Sequence, residues 1–160
     1  MSSDSLQADL SASPPMPIPD AITQFFWDGL AAGELRILRC RGCRKFIHYP
    51  KPICRFCQST ELAGERVSGR AKLYSWTVAV QAFHPFWTDR LPYTIGTVEL
   101  IEQPGLMFAS QIVGCEAADL RAGMPLEVVF ERLTPELFVP FFRPAPADFR
   151  PAPADGEGAR

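Results

Sequence analysis

Two Cys-x-x-Cys pairs, Cys40-Arg-Gly-Cys43 and Cys54-Arg-Phe-Cys57, stand ten residues apart and constrain this chain more than any other feature. Each pair closes a tight turn whose backbone amides face the sulfurs, and two such turns facing each other supply four thiolates in a tetrahedron. Gly42 is expected to ease the first turn. The spacer is shorter than the roughly 15–20 residues of one common zinc pattern, yet long enough for a short hairpin that brings the two knuckles together. Four sulfur donors suit zinc or iron, with zinc the expected occupant of a structural site. A thioredoxin-like redox centre needs one pair on a βαβ framework, and neither pair has one. With four protein ligands the metal has no open position for water, so it serves folding rather than catalysis.

Whether such cysteines hold metal or form disulfides depends on the compartment. The leading stretch Met1–Pro19 is rich in Ser, Pro and Asp and has neither the basic start nor the apolar centre of a signal peptide. No apolar run approaches the roughly 20 residues that a membrane helix needs. A cytoplasmic protein with no membrane association is therefore expected, and in that reducing setting clustered cysteines point to metal. Both ends lack periodicity. In the C-terminal stretch RPAPAD occurs twice, at 143–148 and 150–155. Proline at this density removes backbone donors and favours extended chain, so residues 1–17 and 145–160 are expected to be disordered, with a docking tail as the functional alternative.

Between the ends, residues 20–33 read as a short helix. Asp20 is placed to cap it, Ile22, Phe25, Phe26 and Leu30 fall near one face, and Gly33 is placed to end it. Trp27 lies beside that stripe, which leaves open a helix shared with a partner. After a turn-rich stretch, Ser59–Gly69, the period changes to two. Arg70–Gln81, Tyr93–Ile101, Leu106–Val113, Leu126–Arg132 and Leu137–Phe142 read as strands, with a longer excursion at Gly114–Met124. Five short strands with one excursion after the third fit the five-stranded OB barrel. The expected protein is mainly β: a helix and zinc ribbon over 18–66, then an OB-fold barrel over 67–144.

Candidate sites beyond the metal rest on charge and apolarity. From Arg36 to Cys57 the chain carries seven basic residues and no acidic one, although its formal net charge is −2. Arg39, Arg41, Arg44 and Lys45 make a local basic patch suited to phosphate, whether of nucleic acid or of coenzyme A; the same arginines also suit plain balancing of thiolate charge. The loop Ala82–Pro92 carries Phe83, His84, Phe86 and Trp87, an apolar load that either folds back on the barrel or meets an acyl group or partner. Catalytic machinery is sparse: no nucleophile elbow, phosphate loop or dinucleotide fingerprint, and only His48 and His84 as histidines. Cys115, outside the two pairs, has no activating base nearby in sequence and reads as a small packed thiol.

Taken together, the order of motifs resembles a family of OB-fold proteins with an N-terminal rubredoxin-like zinc ribbon, linked to acyl-CoA metabolism. The resemblance is carried by Phe26-Trp27-Asp28-Gly29-Leu30, Gly33-Glu34-Leu35-Arg36, Gly69-Arg70-Ala71-Lys72-Leu73-Tyr74-Ser75-Trp76, Pro92-Tyr93, Gly123-Met124-Pro125-Leu126 and Phe141-Phe142-Arg143-Pro144. It implies a non-catalytic accessory subunit for a thiolase-superfamily acyl-CoA enzyme, including retro-aldol lyases of steroid side-chain degradation, with the catalytic residues on the partner. On this reading the ribbon's basic residues attract CoA phosphates and the Phe83–Trp87 loop meets the partner or acyl group. The alternative from the residues alone is a single-stranded nucleic-acid-binding module, with Tyr74, Trp76 or Phe108 stacking bases; the acidic remainder of the chain opposes it.

Overall fold

In the computed structural model residues 13–146 are described, so the readings of residues 1–12 and of the tail from 147 onward lie outside the described residues. Asp20 opens the helical segment as expected: its Oδ1 accepts from the Ile22 and Thr23 amides at 3.0 and 2.8 Å. Residues 20–23 close a turn, and the regular helix α1 runs over Gln24–Ala31. It ends where Gly33 takes φ 71° and the amides of Gly33 and Glu34 bond back to Leu30 and Gly29. This pair of bonds is the glycine-terminated motif that satisfies the last carbonyls of a helix.

Three short strands follow, β1 (Arg36–Cys40), β2 (Phe46–Ile47) and β3 (Leu62–Arg66), in an antiparallel sheet of order β2-β1-β3. β3 lies within the stretch read as turns, and all five of its residues pair with β1. Its sequence, Leu-Ala-Gly-Glu-Arg, has no β-branched residue, so neighbours impose the strand rather than propensity. Gly64 is central to this. A Cβ there would come within 2.3 Å of the Phe25 ring, so glycine lets α1 lie on the sheet.

The barrel uses β4 (Arg70–Ala79), β5 (Tyr93–Leu100), β6 (Met107–Ile112), β7 (Pro125–Arg132) and β8 (Phe138–Pro144), closed in the order β4-β5-β6-β8-β7. These are the five strands expected from alternation, and closure runs through a parallel bridge between Ile112 and the fully buried Phe142. β7 pairs only with Arg70–Lys72 of β4, and beyond a bulge at Leu73/Ser75 β4 pairs with β5 alone. Among the described residues the outer half of β4 thus has no strand on its other side, and Tyr74, Trp76, Val78 and Val80 are exposed.

Ribbon and barrel share a core. On β1, Ile37 joins Leu35, Leu30 and Phe46 in the barrel cluster, whereas Leu38 and Cys40 join Ile47 and Cys54 in a second one. From the β5–β6 turn, the Gln103 amide bonds both the N–H and the C=O of Phe46, at 2.8 and 3.2 Å, as a neighbouring strand would. His48 stacks on Phe108 at 4.7 Å, and burial pushes its pKa down to about 4. A histidine kept neutral in the fold stabilises it fully above its unfolded pKa near 6.5, and that contribution drains away as pH falls from there toward 4. Zinc-saturated protein is expected to lose about 2 kcal/mol more between pH 7 and 5 than a His48→Phe variant does, measured by urea melts of both. Equal losses in the two proteins would remove His48 from the acid response.

Candidate metal centre and docking surfaces

The two knuckles are the same structure made twice. The Cys40 and Cys54 carbonyls accept from Arg44 and Gln58 at 3.0 and 2.9 Å, and the Cys40 and Cys54 amides donate to Lys45 and Ser59 at 3.0 and 2.9 Å. In each knuckle the residue after the second cysteine is left-handed, Arg44 at φ 63° and Gln58 at φ 62°. Gly42, expected to ease the first turn, is not where the left-handed backbone falls; a Cβ on it would meet its neighbours at an ordinary 3.7 Å. A non-glycine residue in that region costs about 1–2 kcal/mol. Arg44→Gly is therefore expected to raise stability by about 0.5–1 kcal/mol after the extra freedom of glycine in the unfolded chain is counted. A lowered melting temperature would show instead that the Arg44 side chain contributes more than its backbone costs.

The sulfurs of Cys40, Cys43, Cys54 and Cys57 all lie within 4.8 Å of one another, with Cys40–Cys57 at 3.5 Å and Cys43–Cys54 at 3.6 Å. Zinc–sulfur bonds of 2.3 Å in a tetrahedron require edges of about 3.8 Å, so the donor set fits the ion. The Phe56 amide points at the Cys54 sulfur at 3.4 Å. The Cys43 amide directed at the Cys40 sulfur lowers that thiol below the usual cysteine range.

Beside the first knuckle, Arg39, Arg41 and Arg44 line a shallow cavity of about 460 Å³ with Ala63, Gly64 and Glu65. Arg39 is bound into the fold: its guanidinium pairs with Glu65, donates to the Arg44 carbonyl at 2.7 Å and lies 4.6 Å over the Phe46 ring. Lys45 does not line this cavity; its ammonium sits 4.8 Å over the Phe56 ring. Of the seven ribbon cations, Arg36 and Arg39 have carboxylate partners, and among the described residues Arg41, Arg44, Lys45, Lys51 and Arg55 have none.

The aromatic loop divides. Pro85–Arg90 forms a 3-10 turn whose first amide is taken by His84 Nδ1 at 3.2 Å. Phe83 is 89% exposed, and Phe86 meets Trp87 edge-on at 4.9 Å. Trp87 alone of the four faces a groove of about 410 Å³, walled by Phe26 and Trp27 of α1 and floored by Tyr93, Ile95 and Phe141. The sequence signal for that groove is present in hindsight: β5 and β8 carry apolar residues on both faces, where a barrel needs only one. Phe108, offered as a base-stacking residue, is buried in the core and is not available for stacking. Burial, aided by the Asp119 and Glu116 carboxylates, pushes the Cys115 thiol up, so it stays protonated at neutral pH.

Comparison with known proteins agrees with this architecture. A family model for the ChsH2 rubredoxin-like zinc ribbon domain matches residues 27–63, and one for the ChsH2 C-terminal OB-fold domain matches residues 64–131. A DUF35 domain-containing scaffold protein of Methanocaldococcus jannaschii is 34% identical over 97 residues, 60% of this chain and 67% of that one. A probable enoyl-CoA hydratase alpha subunit of Thermomonospora curvata is 31% identical over 131 residues; they cover 82% of this chain, which spans 40% of that relative. Among solved structures, a chain of the Ltp2-ChsH2(DUF35) aldolase superposes with a TM-score of 0.73 at 29% identity, covering 81% of this chain and 98% of that one. With both domains matched in order and the four cysteines gathered at one point, the chain belongs to the DUF35 family of ChsH2-like proteins, a rubredoxin-like zinc ribbon joined to an OB fold.

Proposed function

We propose that this chain is a non-catalytic accessory subunit of a thiolase-superfamily acyl-CoA enzyme in the cytoplasm, of the retro-aldol lyase kind that acts on steroid side chains. The observation that carries this reading is the similarity to the DUF35 chain of an aldolase complex across nearly that chain's whole length. Zinc in the four-cysteine site keeps the ribbon folded. The outer half of β4, with Tyr74, Trp76 and Val78 exposed, docks the catalytic chain together with Phe83. Contiguous exposed apolar surface of this kind is characteristic of protein interfaces. The groove at Trp87 receives part of the acyl group or its binding wall, and Arg41 and Arg44, which have no carboxylate partner among the described residues, attract CoA phosphates.

Co-expression with a thiolase-like protein of the same source, followed by size-exclusion chromatography with light scattering, tests the assignment. A stoichiometric complex is expected, lost in Trp76→Glu/Val78→Glu and retained with weakened CoA-substrate affinity in Arg41→Glu/Arg44→Glu. Absence of any complex, or recovery only of nucleic acid that nuclease removes, would overturn it in favour of a nucleic-acid module.

A further inference from the structure

We infer that the second knuckle of the ribbon is a docking surface for a protein face that combines carboxylates with an apolar centre. This goes beyond the proposed barrel interface and uses different residues. Five ribbon cations lack carboxylate partners among the described residues. A dication held by four thiolates leaves only two negative charges for them to balance. The surplus is concentrated after the first knuckle: Lys45, Lys51 and Arg55 are all exposed. The same stretch of chain carries exposed apolar residues, Tyr49 at 66%, Ile53 at 50% and Phe56 at 42%.

The geometry around Phe56 separates the candidate partners. The Lys45 ammonium lies 4.8 Å and the Arg55 guanidinium 4.7 Å from the centre of its ring. Cations held against an aromatic face are preoriented, and a planar guanidinium so held offers its N–H fork to a carboxylate in bidentate fashion. The same cations cap the ring that a membrane anchor would bury in acyl chains, which disfavours an anionic lipid surface. A simple phosphate has no use for Ile53 and Tyr49. Carboxylates beside apolar side chains match the exposed Phe56 ring with the Lys45 and Arg55 cations against it.

The test uses the full metal-loaded chain, isotope-labelled for amide chemical shifts, and a synthetic peptide alternating Glu and Leu. Shifts are expected within residues 45–57, with affinity about tenfold above that for an alternating Glu/Gly peptide of equal charge, because burying one or two apolar side chains contributes at least 1.4 kcal/mol. Lys51→Glu/Arg55→Glu is expected to weaken binding about tenfold, since two ion pairs are lost and charge reversal adds repulsion. If the double variant loses metal, Lys51→Glu alone gives the same reading, because that side chain is exposed and off the ring. Equal affinity for the two peptides, shifts confined to the Arg41/Arg44 side, or stronger binding to phosphatidylserine vesicles would each overturn the proposal. None of these readouts requires the catalytic chain, so failure here leaves the accessory-subunit assignment to its own test.

Discussion

Substituting Cys54 by Ser is expected to reduce metal content from one ion per chain to near zero and to unfold the three-stranded sheet. The apolar cluster around the centre consists of the buried Leu38, Cys40, Ile47 and Cys54 with the half-buried Phe25, Cys43 and Leu62 against them, three of the seven being ligands themselves. That is too little apolar area to hold three strands of two to five residues against the entropy of ordering them. The free energy of structural zinc binding is comparable to or larger than the net stability of a domain this size, so a zinc ion held by the four cysteines would be the principal source of order in the ribbon. Serine leaves three thiolates and a weak oxygen donor in a buried position built for sulfur. The loss reaches the barrel as well, because Ile37 and Phe46 of the ribbon sheet belong to the barrel's core and Gln103 bonds Phe46. Metal analysis by mass spectrometry and amide spectra of the variant decide the matter. A variant that keeps one ion per chain and its β1–β3 resonances would show that the ribbon folds without its fourth ligand.

The metal ligands and the barrel strands were legible in the sequence because each rests on a local pattern. Two Cys-x-x-Cys pairs a short spacer apart point to paired knuckles, and apolar runs of strand length bounded by turn residues mark the barrel strands. What escaped depends on neighbours distant in sequence. β3 has no pattern of its own and exists through its pairing with β1 and the seat that Gly64 makes for Phe25. In the knuckles the left-handed residues are Arg44 and Gln58 and not the glycine, Gly42, and their identities give no hint of it. The apolar groove needs the spatial adjacency of β6 and β8, fixed by a single parallel bridge, together with the docking of α1. The aromatic loop showed in composition as a surface of interest, but only the three-dimensional path shows that Trp87 turns to the groove while Phe83 turns to solvent.

Gly69→Ala is expected to lower stability by about 2–4 kcal/mol, for two reasons that a second substitution can separate. Gly69 enters β4 at φ 75°, where an L side chain adds about 1–2 kcal/mol of strain whatever surrounds it. The added Cβ would also lie 2.2 Å from Val128 Cγ1, so either β7 shifts or the side chain leaves its rotamer. Movement of β7 is resisted because the Val128 amide donates to the Gly69 carbonyl at 2.8 Å, next to the β4–β7 pairs that close the barrel. Truncating Val128 to Ala removes the Cγ1 contact and leaves its Cβ at a tight 3.1 Å, whereas the backbone strain is untouched. The Gly69→Ala/Val128→Ala double variant is therefore expected to be more stable than the two single losses summed, by about 1–2 kcal/mol, while remaining less stable than Val128→Ala alone. Thermal or urea melts of the four proteins measure both quantities. Strict additivity would assign the whole effect to backbone conformation, and a Gly69→Ala protein that melts like the parent would refute both terms. The glycine at the head of the Gly69-Arg70-Ala71-Lys72 motif is thus required by close approach as well as by torsion, because it stands where the chain leaves the ribbon and the barrel closes over it.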